Sequence, residues 1–370
     1  MRFAPPKRLR IADRASGLNQ ISVGSYNERL ILSLLLQSDG ISRMEIGQKT
    51  GLSAQTVSVI VRSLEQEGLV SKGQARRGRV GPPTIPLSLN AEGAYSVGVS
   101  VGYRCTDIVL IDFVGAVRFK RSLPHDELDQ SGIRSQCIET VKAAITSLPV
   151  KSQNRIAGIG LALPEDIGTW KLPRGDSSQG IDNLHNELEN LLELSVFVQN
   201  DITAAASGES MFGVAKSESD YLFFYLGAKL HGRLILNHQI HKGNDSISSA
   251  AYDVGILRLE KKLAELAVKY DTDSLWKNTT EWSEIDEEIL ASWRQECREA
   301  LKEAVQSLVQ FVDVKTIVLS SFCPVSVCES ICKGLDNELL GIKALPGELH
   351  HAPKAIGAAS LPYISRFMVQ

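Results

Sequence analysis

Residues 41–68 read ISRMEIGQKTGLSAQTVSVIVRSLEQEG, and this stretch indicates the architecture of the N-terminal part of the chain. Ser42 and Glu45 stand three residues apart, which is the spacing of a capping box, so a short helix is predicted over residues 43–50. A glycine ends that helix, and Ser53 begins another. The inward apolar residues of this other helix are Val57, Ile60, Val61 and Leu64. Two helices joined by a tight turn that contains glycine predict a helix-turn-helix.

The sequence on either side extends this motif to a winged helix. From Asn27 onward, apolar residues at helical spacing predict a first helix that ends near residues 38–40. Residues 71–90, SKGQARRGRVGPPTIPLSLN, predict a strand, a loop and a second strand. Three helices followed by a β-hairpin are typical of a winged helix, which we place at residues 26–90 after a basic tail at residues 1–25.

The outward face of the second helix of the motif carries small polar side chains near its start. Gln55 can bond adenine through two hydrogen bonds, and short side chains suit a helix inserted into the major groove. Arginines at the tip of the hairpin can reach phosphates or the minor groove. The candidate DNA-binding residues are Ser53, Gln55, Thr56, Ser58, Arg62, Arg76, Arg77 and Arg79. The alternative interpretation is a helical protein-interaction module whose arginines are merely solvated.

The distribution of charge favours DNA binding. The chain has a formal charge of −3, but residues 1–90 hold 13 Lys and Arg against 6 Asp and Glu, a charge of +7, which leaves −10 on the remainder. A basic module joined to an acidic bulk is the layout of a protein in which one domain approaches a polyanion and the other does not.

Several classes of protein are not expected. No stretch approaches the roughly 18–20 apolar residues of a membrane-spanning helix, and the basic start lacks the apolar segment of a signal peptide, so we expect a cytoplasmic protein without membrane contact. The six cysteines are spread along the chain without a CxxC pair, which indicates reduced thiols rather than a disulfide framework. Cys328 and Cys332 are four residues apart, but with no second pair or neighbouring histidine they do not predict a zinc site.

From about residue 95 the pattern changes to alternating strands and helices. This alternation predicts an α/β fold of two lobes, which we place at residues 91–200 and 201–370, with the C-terminal helix returning to the first lobe. Strands are predicted at residues 95–102, 105–113, 117–122, 156–163, 196–199, 221–226, 233–236 and 315–320, and long helices at 131–147 and 285–312.

Over residues 25–370 the sequence resembles the ROK family (repressor, open reading frame, kinase). The markers are the wing GRVGPPTIPLSLN, the strand opening VGVSVG, the segment GIGLALPEDIG, the pair Asn200-Asp201 followed by Glu209, and the ending IGAASLPYISRF. The resemblance implies a two-lobed actin-like ATPase fold, as in the family's sugar kinases, behind the winged helix-turn-helix of its repressors. The winged helix favours the repressor branch.

The chain departs from that family at each element that holds a nucleotide or a metal. The first phosphate loop of such kinases is replaced by Ser100-Val101-Gly102-Tyr103-Arg104, and the second by bulky residues between Gly227 and Gly232. The late Gly-Gly pair of the family is replaced by Ser320-Ser321, and its metal-binding His is replaced by Ile256. The family's cysteine loop is missing from this sequence. We therefore expect no catalytic residues, no cofactor, no metal and no kinase activity.

The resemblance also implies a ligand site. Asn200 and Asp201 match the family's sugar-binding pair, and Asp253 partly matches its sugar-binding Glu, so these three are the candidate effector-binding residues. Carboxylate and amide groups recognise the hydroxyls of a carbohydrate or a related small polar molecule. The alternative role of Asp201 is to cap the helix that it begins.

The function expected from the sequence is a transcriptional regulator, most simply a repressor. Its partners would be a double-stranded DNA operator and a sugar-like effector, and because a helix-turn-helix usually reads two half-sites, we expect a homodimer or homotetramer. Two alternatives stay open: a sugar kinase with an accessory DNA-binding domain, and a DNA-binding regulator that has lost its effector.

Overall fold

The computed structural model describes residues 20–38, 40–75, 84–102, 104–125, 130–164, 183–241, 253–266, 270–276, 282–339, 341–350 and 352–369. Its first part is a winged helix of three helices and a two-stranded antiparallel sheet. The elements are α1 (Gln20–Leu36), α2 (Arg43–Thr50), α3 (Ala54–Gln66), β1 (Val70–Lys72) and β2 (Leu87–Leu89).

The local signals of the helix-turn-helix are present as predicted. Ser42 accepts a hydrogen bond from the backbone N–H of Glu45 at 3.2 Å, and the Glu45 carboxylate accepts one from the Ser42 N–H at 2.8 Å, which is a capping box. Gly51 ends α2 with φ of 72°, a conformation that glycine adopts without steric cost. The first helix begins at Gln20, ahead of the predicted start at Asn27. The prediction missed this first part because it relied on apolar residues at helical spacing, which the part before Asn27 lacks.

The first lobe contains a five-stranded sheet with the order β5-β4-β3-β6-β7. Strands β3, β4 and β5 form an antiparallel meander, and β6 and β7 run parallel to β3. The strands are β3 (Tyr95–Val101), β4 (Cys105–Asp112), β5 (Val117–Pro124), β6 (Ile156–Leu163) and β7 (Val196–Asn200). The accompanying helices are α4 (Gln130–Thr146), α5 (Val150–Gln153) and α6 (Leu184–Leu192), and α7 (Asp201–Phe212) follows β7.

The second lobe repeats this topology with the order β10-β9-β8-β11-β12, in which β8, β11 and β12 are parallel and β9 and β10 complete an antiparallel meander. Its strands are β8 (Tyr221–Leu226), β9 (Leu230–Leu236), β10 (Gln239–His241), β11 (Thr316–Ser321) and β12 (Lys343–Pro346). Its helices are α8 (Ile256–Glu265), α9 (Glu287–Leu308) and α10 (Val325–Glu338), and the last helix, α11 (Pro353–Phe367), returns to the first lobe. Asp286 caps α9 by accepting from the N–H of Glu288 at 2.7 Å, so α9 begins two residues after the predicted start.

Helix α11 lies against the sheet of the first lobe with almost no space between the backbones. A Cβ added at Gly98 would lie 1.9 Å from the carbonyl oxygen of Ala355, and one at Gly160 would lie 1.8 Å from that of Ala358. On the side of α7, a Cβ at Gly357 would lie 1.9 Å from the carbonyl oxygen of Ala204. Glycine at these three positions therefore allows α11 to be clamped between β3, β6 and α7. The domain boundaries assigned from the sequence stay a prediction.

The same helix joins the winged helix to the first lobe. Arg29 of α1 donates to the carbonyl oxygen of Ser365 at 3.0 Å, and the N–H of Val369 donates to the hydroxyl of Ser33 at 3.0 Å. The rings of Tyr363 and Phe367 meet Phe113 edge to face, at centroid distances of 5.3 and 5.1 Å. Apolar residues of α1, α2 and α3 belong to one continuous core with those of α11, so the winged helix is docked on the first lobe.

Candidate functional site

The first candidate site is the outward face of α3. Buried Val57, Ile60, Val61 and Leu64 fix the opposite face in the core of the winged helix, as the apolar spacing predicts. Gln55 and Arg62 are exposed, and within the described part of the chain neither has a hydrogen-bond or ion-pair partner. Both side chains are therefore available to another molecule.

The hydroxyl groups of this face have a second role. Ser53 caps α3 by accepting from the N–H of Thr56 at 3.1 Å and also bonds the Thr56 hydroxyl at 2.9 Å. Ser58 donates to the carbonyl oxygen of Ala54 at 2.7 Å. These bonds hold the start of α3 in shape, and each hydroxyl keeps lone pairs for a further donor. The predicted wing arginines Arg76, Arg77 and Arg79 lie outside the described residues.

Glu65 ties the parts of the winged helix together. Its carboxylate is 3.2 Å from the guanidinium of Arg43, at the start of α2, and 2.8 Å from the ammonium of Lys72, on the first wing strand. One acidic residue of α3 thus orients basic residues of α2 and β1. The sequence pattern did not single out Glu65, since nothing local marks the two partners that it meets.

The second candidate site lies where the strands of the two sheets end. Asn200 and Asp201 stand at the carboxyl end of β7, as predicted, and Tyr225 stands near the carboxyl end of β8. In α/β folds, ligands bind beyond the carboxyl ends of parallel strands. We call the region between the two lobes at these strand ends the cleft, and it is the candidate site for a small molecule.

Asn200 is the N-cap of α7. Its side-chain oxygen accepts from the N–H groups of Ile202 and Thr203, both at 3.0 Å, and from the guanidinium of Arg233 at 2.7 Å. The carbonyl oxygen is saturated by these three donors. The amide NH₂ group has no partner among the described residues, so Asn200 can act toward a ligand as a donor.

Asp201 lies almost completely buried, with 4% of its surface exposed. One carboxylate oxygen accepts from the N–H of Ile202 at 2.8 Å, and the other forms an ion pair with Lys354 of α11. The Lys354 ammonium also lies 4.5 Å from the centre of the Tyr225 ring. The N-cap of α7 is therefore Asn200 and not Asp201, which was the alternative role of that residue; the Asp201 carboxylate bonds the N–H of Ile202 in the first turn and is neutralised by a lysine that sequence patterns did not reveal.

Strand β4 adds further polar groups near Lys354. The carboxylate of Asp107 accepts from the hydroxyl of Ser122 at 2.5 Å. Burial raises the pKa of Asp107, and the charges of Lys120 and Lys354 oppose that rise. The pKa of Tyr225 is raised by burial and then by Asp201. Acidic, basic and hydroxyl groups of both lobes thus meet beside the first turn of α11.

A separate cluster bridges the lobes at the position of the degraded first phosphate loop. Arg104 of the first lobe forms an ion pair with Glu260 at 2.9 Å, and its guanidinium lies 5.0 Å from the centre of the Trp276 ring. Trp276 donates to the same Glu260 oxygen at 2.7 Å and stacks on Phe322 at 6.0 Å. We call these four residues the Arg104 cluster. At the position of the phosphate loop, Arg104 is thus bound to side chains of the second lobe.

Two other residues named from the sequence have different surroundings. Glu209 is fully buried, accepts backbone N–H bonds from Val214, Glu348 and Leu349 at 3.2 Å, and has its pKa raised by burial. It holds a loop of the second lobe onto α7. Asp253 is exposed, and among the described residues no bond or ion pair joins it to Asn200 or Asp201. Its role in binding stays a prediction.

Comparisons with known proteins agree with this geometry. Residues 25–79 match the MarR family, and residues 96–251 match the ROK family. The fold and the two sites define a protein with an N-terminal winged helix and a two-lobed domain of the sugar-kinase type. More particularly, the two matched segments correspond to a MarR-type winged helix followed by a ROK domain.

The curated proteins similar to this chain include a repressor. The xylose repressor of Bacillus subtilis is 27% identical over 235 residues, which cover 62% of this chain and 60% of that repressor. The chain thus spans about 60% of the length of the curated relatives that it matches.

In the described residues, no helix is long and apolar enough to cross a membrane.

Two solved structures share the fold. A ROK family transcriptional regulator, a homologue of the E. coli MLC protein, superposes with a TM-score of 0.65 at 16% identity over 92% of this chain and 96% of that one. A ROK family glucokinase from Streptomyces griseus, in complex with glucose and AMPPNP, gives a TM-score of 0.52 at 17% identity over 72% of this chain and 99% of that one. The glucokinase match confirms the predicted sugar-kinase-like fold.

Proposed function

We propose that this protein is a DNA-binding transcriptional repressor whose ROK domain binds a carbohydrate or a related small polar effector without phosphorylating it. The observation that carries the proposal is the position of α11. The first turn of α11 brings Lys354 into an ion pair with Asp201 in the cleft. Residues at the C-terminal end of α11 form hydrogen bonds with α1 of the winged helix. One rigid element therefore touches both the candidate effector site and the candidate DNA-binding module.

The DNA-binding half of the proposal is supported by the surface of α3. Exposed Gln55 and Arg62 stand on a helix whose other face is fixed in a core, which is the arrangement of a recognition helix. The basic charge of residues 1–90 supplies attraction to phosphates. The relative named as a xylose repressor is consistent with this role.

The absence of phosphoryl transfer is supported by what the cleft residues already bind. Asp201 is ion-paired with Lys354, whereas a catalytic base must meet the hydroxyl that it deprotonates. Arg104, in place of the first phosphate loop, is bound to Glu260 and Trp276. Phosphoryl transfer needs backbone amides and a metal around the phosphates, and the Arg104 cluster offers side chains directed at one another.

A physical route from effector to DNA follows from these contacts. Ligand hydroxyls that bond Asp201 compete with Lys354 for its carboxylate. When Lys354 is displaced, the first turn of α11 changes its environment. Any movement of α11 also disturbs its contacts to α1. The size of the response is limited by the difference in effector affinity between the two states. In a homodimer or homotetramer, such a shift would change the spacing of paired recognition helices.

The DNA-binding part is tested by gel-shift titration of the full-length protein against DNA from upstream of its own gene at several salt concentrations. We expect affinity to fall steeply as salt rises, because phosphate contacts release counterions. Failure to bind any duplex in a salt-dependent way contradicts the repressor assignment.

The effector part is tested by a thermal-shift screen with sugars, amino sugars, sugar acids and polyols. A ligand at 100 times its dissociation constant stabilises the folded protein by about 2.7 kcal/mol. A hit that also changes the gel-shift affinity supports the effector. A protein that binds DNA and responds to no compound is instead an effector-independent regulator, and ATP binding seen by calorimetry supports the kinase alternative.

A further inference from the structure

The outward face of α3 contains an exposed apolar side chain between its two polar ones. Gln55, Val59 and Arg62 follow one another at intervals of four and three residues, so they form a single stripe along the helix. Val59 is 63% exposed, whereas Val57 and Val61 on the opposite side are fully buried. Val59 therefore contributes nothing to the core that fixes this helix.

Val59 stands among the candidate DNA-contacting side chains of α3. It lies one helical turn after Gln55 and one turn before Arg62, with the small Ser58 beside it. Its rigid, β-branched methyl groups cannot form hydrogen bonds, and the only apolar group that the major groove presents is the C5-methyl of thymine. Four residues of helix advance by about 6 Å, and successive bases of one strand are about 3.4 Å apart.

We propose that Val59 is a specificity-determining residue that contacts the C5-methyl group of a thymine, within about two base pairs of the base bonded by Gln55. The inference rests on the proposed DNA-binding function and adds a chemical identity for one base of each half-site. Gln55 and Val59 together select A·T-containing steps, since the amide bonds adenine and the isopropyl group meets thymine.

The test uses a duplex that the full-length wild-type protein selects from a random pool, followed by replacement of each thymine with deoxyuridine, which removes only the methyl group. At one position in each half-site we expect wild-type affinity to fall by about four-fold per half-site, the factor that corresponds to about 0.8 kcal/mol for one buried methyl-sized group. Val59→Ala should bind the thymine duplex more weakly by a similar factor and should respond less than the wild type to uracil at that position.

The matched control is Val150→Ala, because Val150 is 78% exposed on α5 of the first lobe and lies outside the winged helix. This variant should respond to uracil as the wild type does. If Val59→Ala and the wild type show the same loss at every uracil position, or if no position responds, the thymine contact is wrong while DNA binding stands. If the wild type selects no duplex, both this inference and the proposed function fail.

Discussion

The outward face of α3 and the cleft between the lobes both contain polar side chains, but they differ in what those side chains already bind. Gln55 and Arg62 on α3 have no partners among the described residues. In the cleft, Asp201 is ion-paired with Lys354, and Arg104 with Glu260. The two side chains on α3 have no partner among the described residues, whereas the two charged side chains in the cleft are paired within the protein.

This difference indicates different energetics of binding. A duplex that meets α3 replaces water and counterions, so its affinity depends strongly on salt. A ligand that enters the cleft must replace protein contacts, and a buried carboxylate that loses its partner without gaining another is strongly destabilising. Under the proposed function, only a ligand with hydroxyls at the right positions compensates for that loss, so the internal pairs would provide selectivity.

The largest expected effect comes from separating the two regions by disrupting α11. Gly160→Ala places a methyl group 1.8 Å from the Ala358 carbonyl oxygen, so the helix must shift. We expect a loss of about 3 kcal/mol or more in the free energy of unfolding, measured by urea denaturation, together with loss of DNA binding. The control is Gly232→Ala, whose new Cβ would meet the Phe224 ring at 3.3 Å and should cost far less. Equal effects of the two variants would contradict the role of α11.

The next effect comes from breaking the internal pair of the cleft. Lys354→Met leaves the Asp201 carboxylate buried without its cation, and we expect a loss of about 2–3 kcal/mol in the free energy of unfolding. Adding Asp201→Asn to this variant should restore part of the lost free energy of unfolding. The control is Lys261→Met, since the Lys261–Glu265 pair is mostly exposed and should contribute less than about 0.5 kcal/mol. A double variant no more stable than Lys354→Met alone argues against the pair.

On the DNA side, Arg62→Ala should leave stability unchanged and weaken binding. If Arg62 contacts one phosphate per half-site, the slope of log K against log salt becomes less steep by about one unit for each contact. Gel-shift titration at four or more salt concentrations measures this slope. Arg121→Ala is the matched control, because Arg121 is an exposed arginine of the first lobe. An unchanged slope for Arg62→Ala places this arginine away from the phosphates.

The Arg104 cluster gives a smaller effect with an optical signal. Arg104→Ala removes a cation from the face of Trp276 and a partner from Glu260, at a cost of about 1 kcal/mol. Tryptophan emission should shift because the indole becomes more accessible to water. Glu260→Gln retains an acceptor for the indole N–H and should shift emission less. Unchanged emission in both variants would show that the cluster does not persist in solution.

The smallest expected effect is a pH dependence in the cleft. Because burial raises the pKa of Asp107 above its usual value of 3.8, its contribution to stability is complete below pH 3.8 and is lost as the pH rises through the raised pKa. Asp107→Asn should therefore gain stability relative to the wild type as pH increases over that window. Asp220→Asn is a control of opposite sign, since bonds from Ser219 and Asn237 lower the pKa of Asp220. Parallel pH curves for wild type and Asp107→Asn would contradict the prediction.

The winged helix was predictable because its signals are local. The capping box of Ser42 and Glu45, the glycine that ends α2 and the apolar stripe of α3 all act within one or two helical turns, and the structure has the bounds of α2 as predicted. The strands β6 and β8 were also predicted with their observed bounds, because each is a continuous apolar run.

The contents of the cleft could not be predicted in the same way. Lys354 is 153 residues from Asp201, and Arg104 is 156 residues from Glu260. No periodicity connects such pairs, and the resemblance to a family assigns roles only where residues match. Arg104 was visible in the sequence as a departure from a phosphate loop, but the fact that it binds across to the second lobe depends on how the two sheets face each other.

The shared core of α1 and α11 has a consequence for how the protein is made. Ser33 and its partner Val369 are separated by 336 residues, and ribosomes add about 5–20 residues per second. Phe367 and Met368 complete the apolar core that contains Ile31 and Leu32. The winged helix therefore waits on the ribosome for some tens of seconds with one side of its core uncovered, and it reaches its docked form only after α11 has been synthesised.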